Sequence, residues 1–235
     1  MKRLLIDAGN TNVKFAVADG ADFIESGVLP TAGELVVPRS GVGEVWVSNV
    51  AGDAVRRKLL ALCGALPVHF IEAQPMQCGV VNGYEEPSRL GPDRWAALIY
   101  AWHLLGRACL VVNSGTATTI DALSERGQFL GGLILPGVAL MRRSLDSAAA
   151  NLHEAAGGYA DFPRNTQDAM QSGAIQASCG AIAQQYLRLN DAGAQVLLGG
   201  GAAPLLAQHL NLPVRIVDNP VLHGLLLIAN EAGGA

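Results

Sequence analysis

The chain has little of what marks a nucleic-acid-binding, membrane or secreted protein. Only 15% of its 235 residues are charged and they sum to −4, so no basic footprint for a polyanion exists. No apolar run approaches the roughly 18 residues a membrane-spanning helix needs. The opening MKRLLIDAGN breaks on Asp7 before a signal-peptide core can form, which points to a cytoplasmic protein. The cysteines, Cys63, Cys78, Cys109 and Cys179, lie far apart without a CxxC pair. That pattern argues against a disulfide framework or a zinc site. Aromatic residues are scarce at 5%, while half the chain is apolar and rich in Ala, Leu, Val and Gly, as where helices pack closely on sheets. The length suits two compact lobes of about 100–120 residues.

What is present centres on Leu4 to Val17, LLIDAGNTNVKFAV. An apolar run ends on Asp7, a polar tip follows, and an alternating segment leaves it: strand, tight turn, strand. A plain hairpin needs one or two turn residues, whereas this tip offers a carboxylate, hydroxyl and amide side chains and backbone N–H groups. Gly9 removes a side chain that would keep a phosphate away. Asp7 is placed to hold Mg²⁺ directly or through water.

Further along, Glu44–Val50 alternates as a strand and Ala54–Ala65 has helical period. Pro67–Ile71 reads as a strand in which His69 packs or faces solvent. The run GYEEPSRLGPDR, residues 83–94, groups Tyr84, Arg89, Asp93 and Arg94 around a Gly/Pro-rich loop, as a pocket for a small anion is built. Asp93 falls where a helix begins, so capping is its plain alternative role. That helix runs to about Leu105, with Trp95, Leu98, Trp102 and Leu105 toward the core.

The first device then recurs. Leu110–Asp121, LVVNSGTATTID, repeats apolar strand, amide or acid, small residue, Gly and hydroxyl-rich turn, with Asn113 standing 106 positions after Asp7. GGLILPG follows at 131–137, then a helix over Val138 to about Ala150. A loop spans 151–165, and a long helix runs to Leu189 in which Thr166 serves as cap or contact. A buried strand, Gln195–Leu198, enters the glycine-rich turn Gly199–Gly201 and a helix over Pro204–Leu210. A short strand at Val214–Val217 and a helix over Pro220–Ala232, with His223 as a packing residue, close the chain.

Taken together, DAGNTNVK, GYEEPSRLGPDR, NSGTATTID, GGLILPG and NTQDAMQSG resemble, in order and over nearly the whole chain, the motif set of type III pantothenate kinases. These belong to the acetate kinase, sugar kinase, Hsp70 and actin superfamily. The resemblance implies an α/β fold of two ribonuclease-H-like lobes, about 1–108 and 109–235, each a mixed sheet flanked by helices, with ATP between them. It also implies a homodimer and phosphorylation of pantothenate by MgATP in coenzyme A biosynthesis. Carried over by position, Asp7, Ala8, Gly9, Asn10, Thr11, Asn12, Val13 and Lys14 form the first phosphate loop, and Thr116 contacts ATP from the second. Asp93 is the general base, and Tyr84, Gly91, Pro92 and Arg94 line the pantothenate site with Thr166.

The chain departs from the family at one point. The family has an Asp at the start of the second tip, holding a monovalent cation such as K⁺ or NH₄⁺; here Asn113 stands. Its amide offers a carbonyl oxygen without charge, and its NH₂ can mimic a cation's bonds to nearby oxygens. Two alternatives share the fold. A kinase for another small hydroxy or carboxylate acceptor would keep both tips and change the pocket. A non-enzymatic regulator would be expected to lose Asp7 or Asp93, and both are present.

Overall fold

The computed structural model describes residues 1–148 and 157–234. The chain forms two compact units: Met1–Gly106 with Gly127–Phe129 and Asn219–Ala235, and Arg107–Arg126 with Leu130–Asp218. Where the sequence suggests a single division at 108/109, two later segments rejoin the first unit.

In the first unit β1 (Lys2–Ala8), β2 (Asn12–Asp19) and β3 (Asp22–Pro30) form an antiparallel meander. Next come β4 (Val42–Asn49), α1 (Asp53–Cys63) and β5 (Val68–Phe70), with β4 and β5 parallel to β1, in the order β3-β2-β1-β4-β5. A two-residue ribbon, β6 (Met76–Gln77) and β7 (Val80–Val81), precedes α2 (Pro92–Leu105). The second unit repeats the plan. Its strands β8 (Cys109–Ser114), β9 (Ala117–Leu123), β10 (Phe129–Pro136), β11 (Gln195–Gly199) and β12 (Val214–Ile216) lie in the order β10-β9-β8-β11-β12. Its helices are α3 (Val138–Ala148), α4 (Thr166–Leu189) and α5 (Ala203–Ala207). Residues 149–156, which the sequence assigns to a helix end and the following loop, lie outside the described residues. Among the described residues no helix is long and apolar enough to cross a membrane.

Side chains alternate across each strand, so β1 buries both faces for different purposes. Leu4, Ile6 and Ala8 join Val13, Phe15, Val17, Val45 and Val47 against Val55, Leu59 and Cys63 of α1. The opposite face, with Leu5, Ala16, Trp46 and Ser48, carries α2 and the last helix, α6 (Pro220–Gly233). Asp7 belongs to that face. Because α2 is covered on several sides, Arg94 through Ile99 are all buried, whereas Trp102 and Leu105 are only half-buried. The second core gathers Leu110, Val112, Ile120, Ile175, Ile182, Val196 and Leu198.

Close approach of α6 to α2 explains why the C-terminus returns to the first unit. A Cβ on Gly224 would lie 1.9 Å from the Ala96 carbonyl oxygen, so only glycine permits this spacing. Gly173 in α4 has nothing within 4 Å of such a Cβ. Gly224→Ala is therefore expected to lose about 1–3 kcal/mol through overpacking, whereas Gly173→Ala gains up to about 1 kcal/mol from helix propensity. Urea unfolding of the two variants checks this, and equal midpoints would contradict it.

Candidate active site

The first hairpin is braced from outside itself. Gly9 donates its N–H to the Asn12 carbonyl (3.0 Å), Thr31 donates its hydroxyl to the Gly9 carbonyl (2.7 Å), and the Thr31 N–H reaches the Thr11 carbonyl (3.0 Å). Asn10, Thr11 and Asn12 are exposed at the tip, while Ala8 and Val13 lie in the core. Those two residues can therefore serve a ligand through backbone only. Thr31 enters from the turn after β3, too far along the chain for a local pattern to reveal it.

Asp7 stands at the end of β1, in register with Lys14 on β2 and Ser48 on β4. Its Oδ1 is buried without a hydrogen bond, and so is the hydroxyl of the fully buried Ser48. Burial first, and then the charge of Asp93, raise the Asp7 carboxyl from its ordinary 3.8 to about 7. Lys14 and Ser48 act in the other direction, although Ser48 and Oδ1 form no bond of normal geometry. Strand end and helix start thus bring two carboxylates into electrostatic contact.

Asp93 is the second residue of α2, behind Gly91 and Pro92. It is not the cap, since Gly91 holds that position without a side-chain bond; Asp93 Oδ1 instead accepts the Arg94 N–H at 2.9 Å. A Cβ on residue 91 would lie 2.7 Å from this oxygen, so Gly91 leaves room for the carboxylate to sit as it does. Burial raises the Asp93 carboxyl, opposed by the Arg94 N–H and guanidinium.

Arg94 does not reach into solvent: it is 6% exposed and its Nη1 donates to the Tyr84 hydroxyl at 2.8 Å. Its guanidinium lies 5.5 Å from the Tyr84 ring centre and 5.8 Å from that of Phe129. Phe129 is fully buried and escaped the sequence reading because it returns to this unit from far along the chain. Arg89 shares a surface recess with Tyr84. It pairs with Glu86 at 2.9 Å on the surface, beside that recess of about 390 Å³ lined by Gly83, Tyr84, Glu85, Glu86 and Arg89.

The second unit sets Asn113, Ser114 and Thr116 at its own hairpin. Ser114 and Thr118 share a buried hydroxyl–hydroxyl bond of 2.8 Å, and the Gly137 N–H holds the Thr116 carbonyl at 2.9 Å. Gly200, at φ +91°, turns beneath them; a Cβ there would meet the Ser114 carbonyl at 2.4 Å and Asn113 Oδ1 at 2.7 Å. Ala202 then donates to the Ser114 carbonyl at 3.1 Å, so the glycine-rich turn and the tip form one piece. Thr166 opens α4 and is exposed. Its capping role falls to Asn165, whose side chain accepts the Asp168 N–H.

Two repeated units of this topology, each presenting a hydroxyl-rich hairpin, define the two-lobed fold shared by actin-like ATPases and sugar kinases. The fold matches the Campylobacter jejuni Baf family protein (TM-score 0.66, 23% identity, 99% of this chain and 100% of that one). It also matches the activator of the 2-hydroxyisocaproyl-CoA dehydratase from Clostridium difficile with bound ADPNP (TM-score 0.56, 12% identity, 100% and 97% covered). Sequence carries the assignment further. The profile of the type III pantothenate kinase family matches residues 3–188. Type III pantothenate kinases of Aromatoleum aromaticum and Nitrosospira multiformis are 45% and 43% identical to the chain, covering 99% and 97% of it and 99% and 91% of themselves. The chain belongs to the type III pantothenate kinase family.

The half-buried Asp7 carries a stability cost with a definite sign. In the metal-free protein Asp7 favours the fold while protonated. That contribution is whole below its unfolded value of about 4 and lost as the pH rises through about 7. Asp7→Asn is therefore expected to melt above the wild type at pH 8, with the gap shrinking toward pH 4. Thermal scans without metal or nucleotide measure this; a gap independent of pH would refute the raised carboxyl.

Proposed function

We infer that the chain transfers the terminal phosphoryl group of ATP to the hydroxyl of pantothenate, the reaction its family is named for, within coenzyme A biosynthesis. The observation that carries the reading is the half-buried Asp93 at the start of α2, beside a buried arginine and coupled to Asp7 at the phosphate hairpin.

Phosphoryl transfer asks the protein mainly for positioning and neutralisation of charge. The backbone and side chains of Asp7 to Lys14 hold phosphate oxygens in the first unit, and Thr116 does so in the second. Among the described residues no three His, Cys, Asp or Glu cluster as a metal site. That suits Mg²⁺, which takes one or two carboxylates together with substrate phosphates and water. The orphaned Oδ1 of Asp7 is the fitting ligand. When bound, the ion neutralises phosphate charge.

Asp93 accepts the proton of the pantothenate hydroxyl, a role to which a raised carboxyl is better matched near neutral pH. Arg94, walled by Tyr84 and Phe129, supplies a fixed positive charge for the substrate carboxylate. Tyr84, Gly91 and Pro92 complete that side of the pocket, and the role of Thr166 as a substrate contact rests on the family resemblance. The active form is a homodimer. This is supported by the edge strand β10 and helix α3, which leave Leu130, Ile134, Leu140 and Leu145 exposed. All four cysteines are free thiols, in keeping with a cytoplasmic enzyme.

Purified protein with MgATP is expected to release ADP when pantothenate is supplied and not with glycerol or acetate. Asp93→Asn should retain the fold and ATP binding while kcat drops by roughly 10²-fold or more. Turnover of glycerol or acetate in place of pantothenate would sink the substrate assignment. Near-normal kcat in Asp93→Asn would return that residue to a purely structural role.

Asn113 supports a separate reading, that its neutral amide replaces the cation-binding carboxylate of the family. Activity should then be nearly equal in Na⁺, K⁺ and NH₄⁺. Asn113→Asp would place an unneutralised charge near phosphate, costing on the order of 1–4 kcal/mol, so this variant should be slow in Na⁺ and rescued by K⁺ or NH₄⁺. A wild-type requirement for K⁺ would overturn the reading.

A further inference from the structure

Ser48 is an unexplained residue in the first unit. It is fully buried near the end of β4, with its side chain on the face that carries α2. Its neighbours Trp46 and Val47 pack apolar surface, so a serine between two cores needs a reason. A buried hydroxyl left without a partner costs on the order of 1–3 kcal/mol, and an alanine of nearly the same shape would avoid that. The Ser48 hydroxyl makes no bond of normal geometry, and neither does Asp7 Oδ1, directly beside it in the β1–β4 register. Two orphaned polar atoms side by side, one able to donate and one able only to accept when ionised, form half of a site.

We propose that Ser48 is a positioning residue for the metal-binding carboxylate. Its hydroxyl donates to Asp7 once that carboxylate is engaged, fixing which oxygen faces the divalent cation. The inference rests on the reading of Asp7 as the Mg²⁺ ligand. Lys14 neutralises Asp7 from β2 but is long and flexible; Ser48 is short and rigidly held in a parallel strand pair, so it can select an orientation.

The test is Mn²⁺ binding to the full chain, followed by electron paramagnetic resonance in the presence of ADP, with wild type, Ser48→Ala, Ser48→Thr and Asp7→Asn. Ser48→Ala is expected to raise the Mn²⁺ dissociation constant about 5- to 10-fold while its melting temperature stays level or rises, since an orphaned hydroxyl is gone. Ser48→Thr, which keeps the hydroxyl, should bind within about twofold of wild type if it folds. The KM for pantothenate should not change in Ser48→Ala. Unchanged Mn²⁺ binding in Ser48→Ala, with Asp7→Asn strongly weakened, would overturn the role of Ser48 alone. Unchanged binding in Asp7→Asn would overturn the underlying assignment of the metal to Asp7. A lowered melting temperature in Ser48→Ala with unchanged Mn²⁺ binding would make Ser48 a packing residue and nothing more.

Discussion

Much of the first unit turns on holding two carboxylates near each other where water cannot reach them well. Asp7 ends a strand and Asp93 begins a helix, and the charge of one is felt by the other. Two such groups resist ionising together, and each resists ionising when buried. The arrangement is therefore not what stability alone would select. It leaves a place suited to positive charge, which Lys14 supplies beside Asp7 and Arg94 beside Asp93. Several surrounding features serve that geometry. Gly91 leaves space for the Asp93 carboxylate, Thr31 braces the hairpin, and α6 approaches α2 closely at a glycine.

The repeated topology shows how one device supports two tasks. Each five-stranded sheet places its hairpin between the first two strands of its unit, where a short tip can present hydroxyls and backbone groups. In the first unit the strand end keeps an acid; in the second the matching position is Asn113, packed against Gly200. Equivalent positions thus differ in charge while sharing backbone form. The first position carries a carboxyl group and the second a neutral amide.

What could be read from the sequence was whatever is local. The hairpins announce themselves because an alternating strand pattern and a polar tip lie within a dozen residues, and the duplication follows from comparing those stretches. Side chains delivered through sheet register were invisible: Ser48 stands beside Asp7 only because β4 pairs with β1. Phe129 was missed because its segment returns to the first unit after a long excursion. Proximity in sequence gives no side-chain direction: Arg89 lies four residues from Asp93, and its guanidinium pairs with Glu86 at the surface. At α4 the capping role sits one residue earlier than Thr166, on Asn165, because the Asx side chain reaches the Asp168 N–H.

The most direct test of the paired carboxylates is to observe them titrate. Carbon-13 NMR of the protein labelled at the aspartate carboxyl carbon, assigned through Asp7→Asn and Asp93→Asn, reports each group separately. In the free protein both carboxyls should titrate above the usual aspartate value, Asp7 near 7 through burial and the charge of Asp93, and Asp93 through its burial. Addition of Mg²⁺ and ADP should bring the Asp7 titration down. If both groups titrate near 4 in the free protein and ignore the cation, the coupled pair does not exist and the site must be built differently.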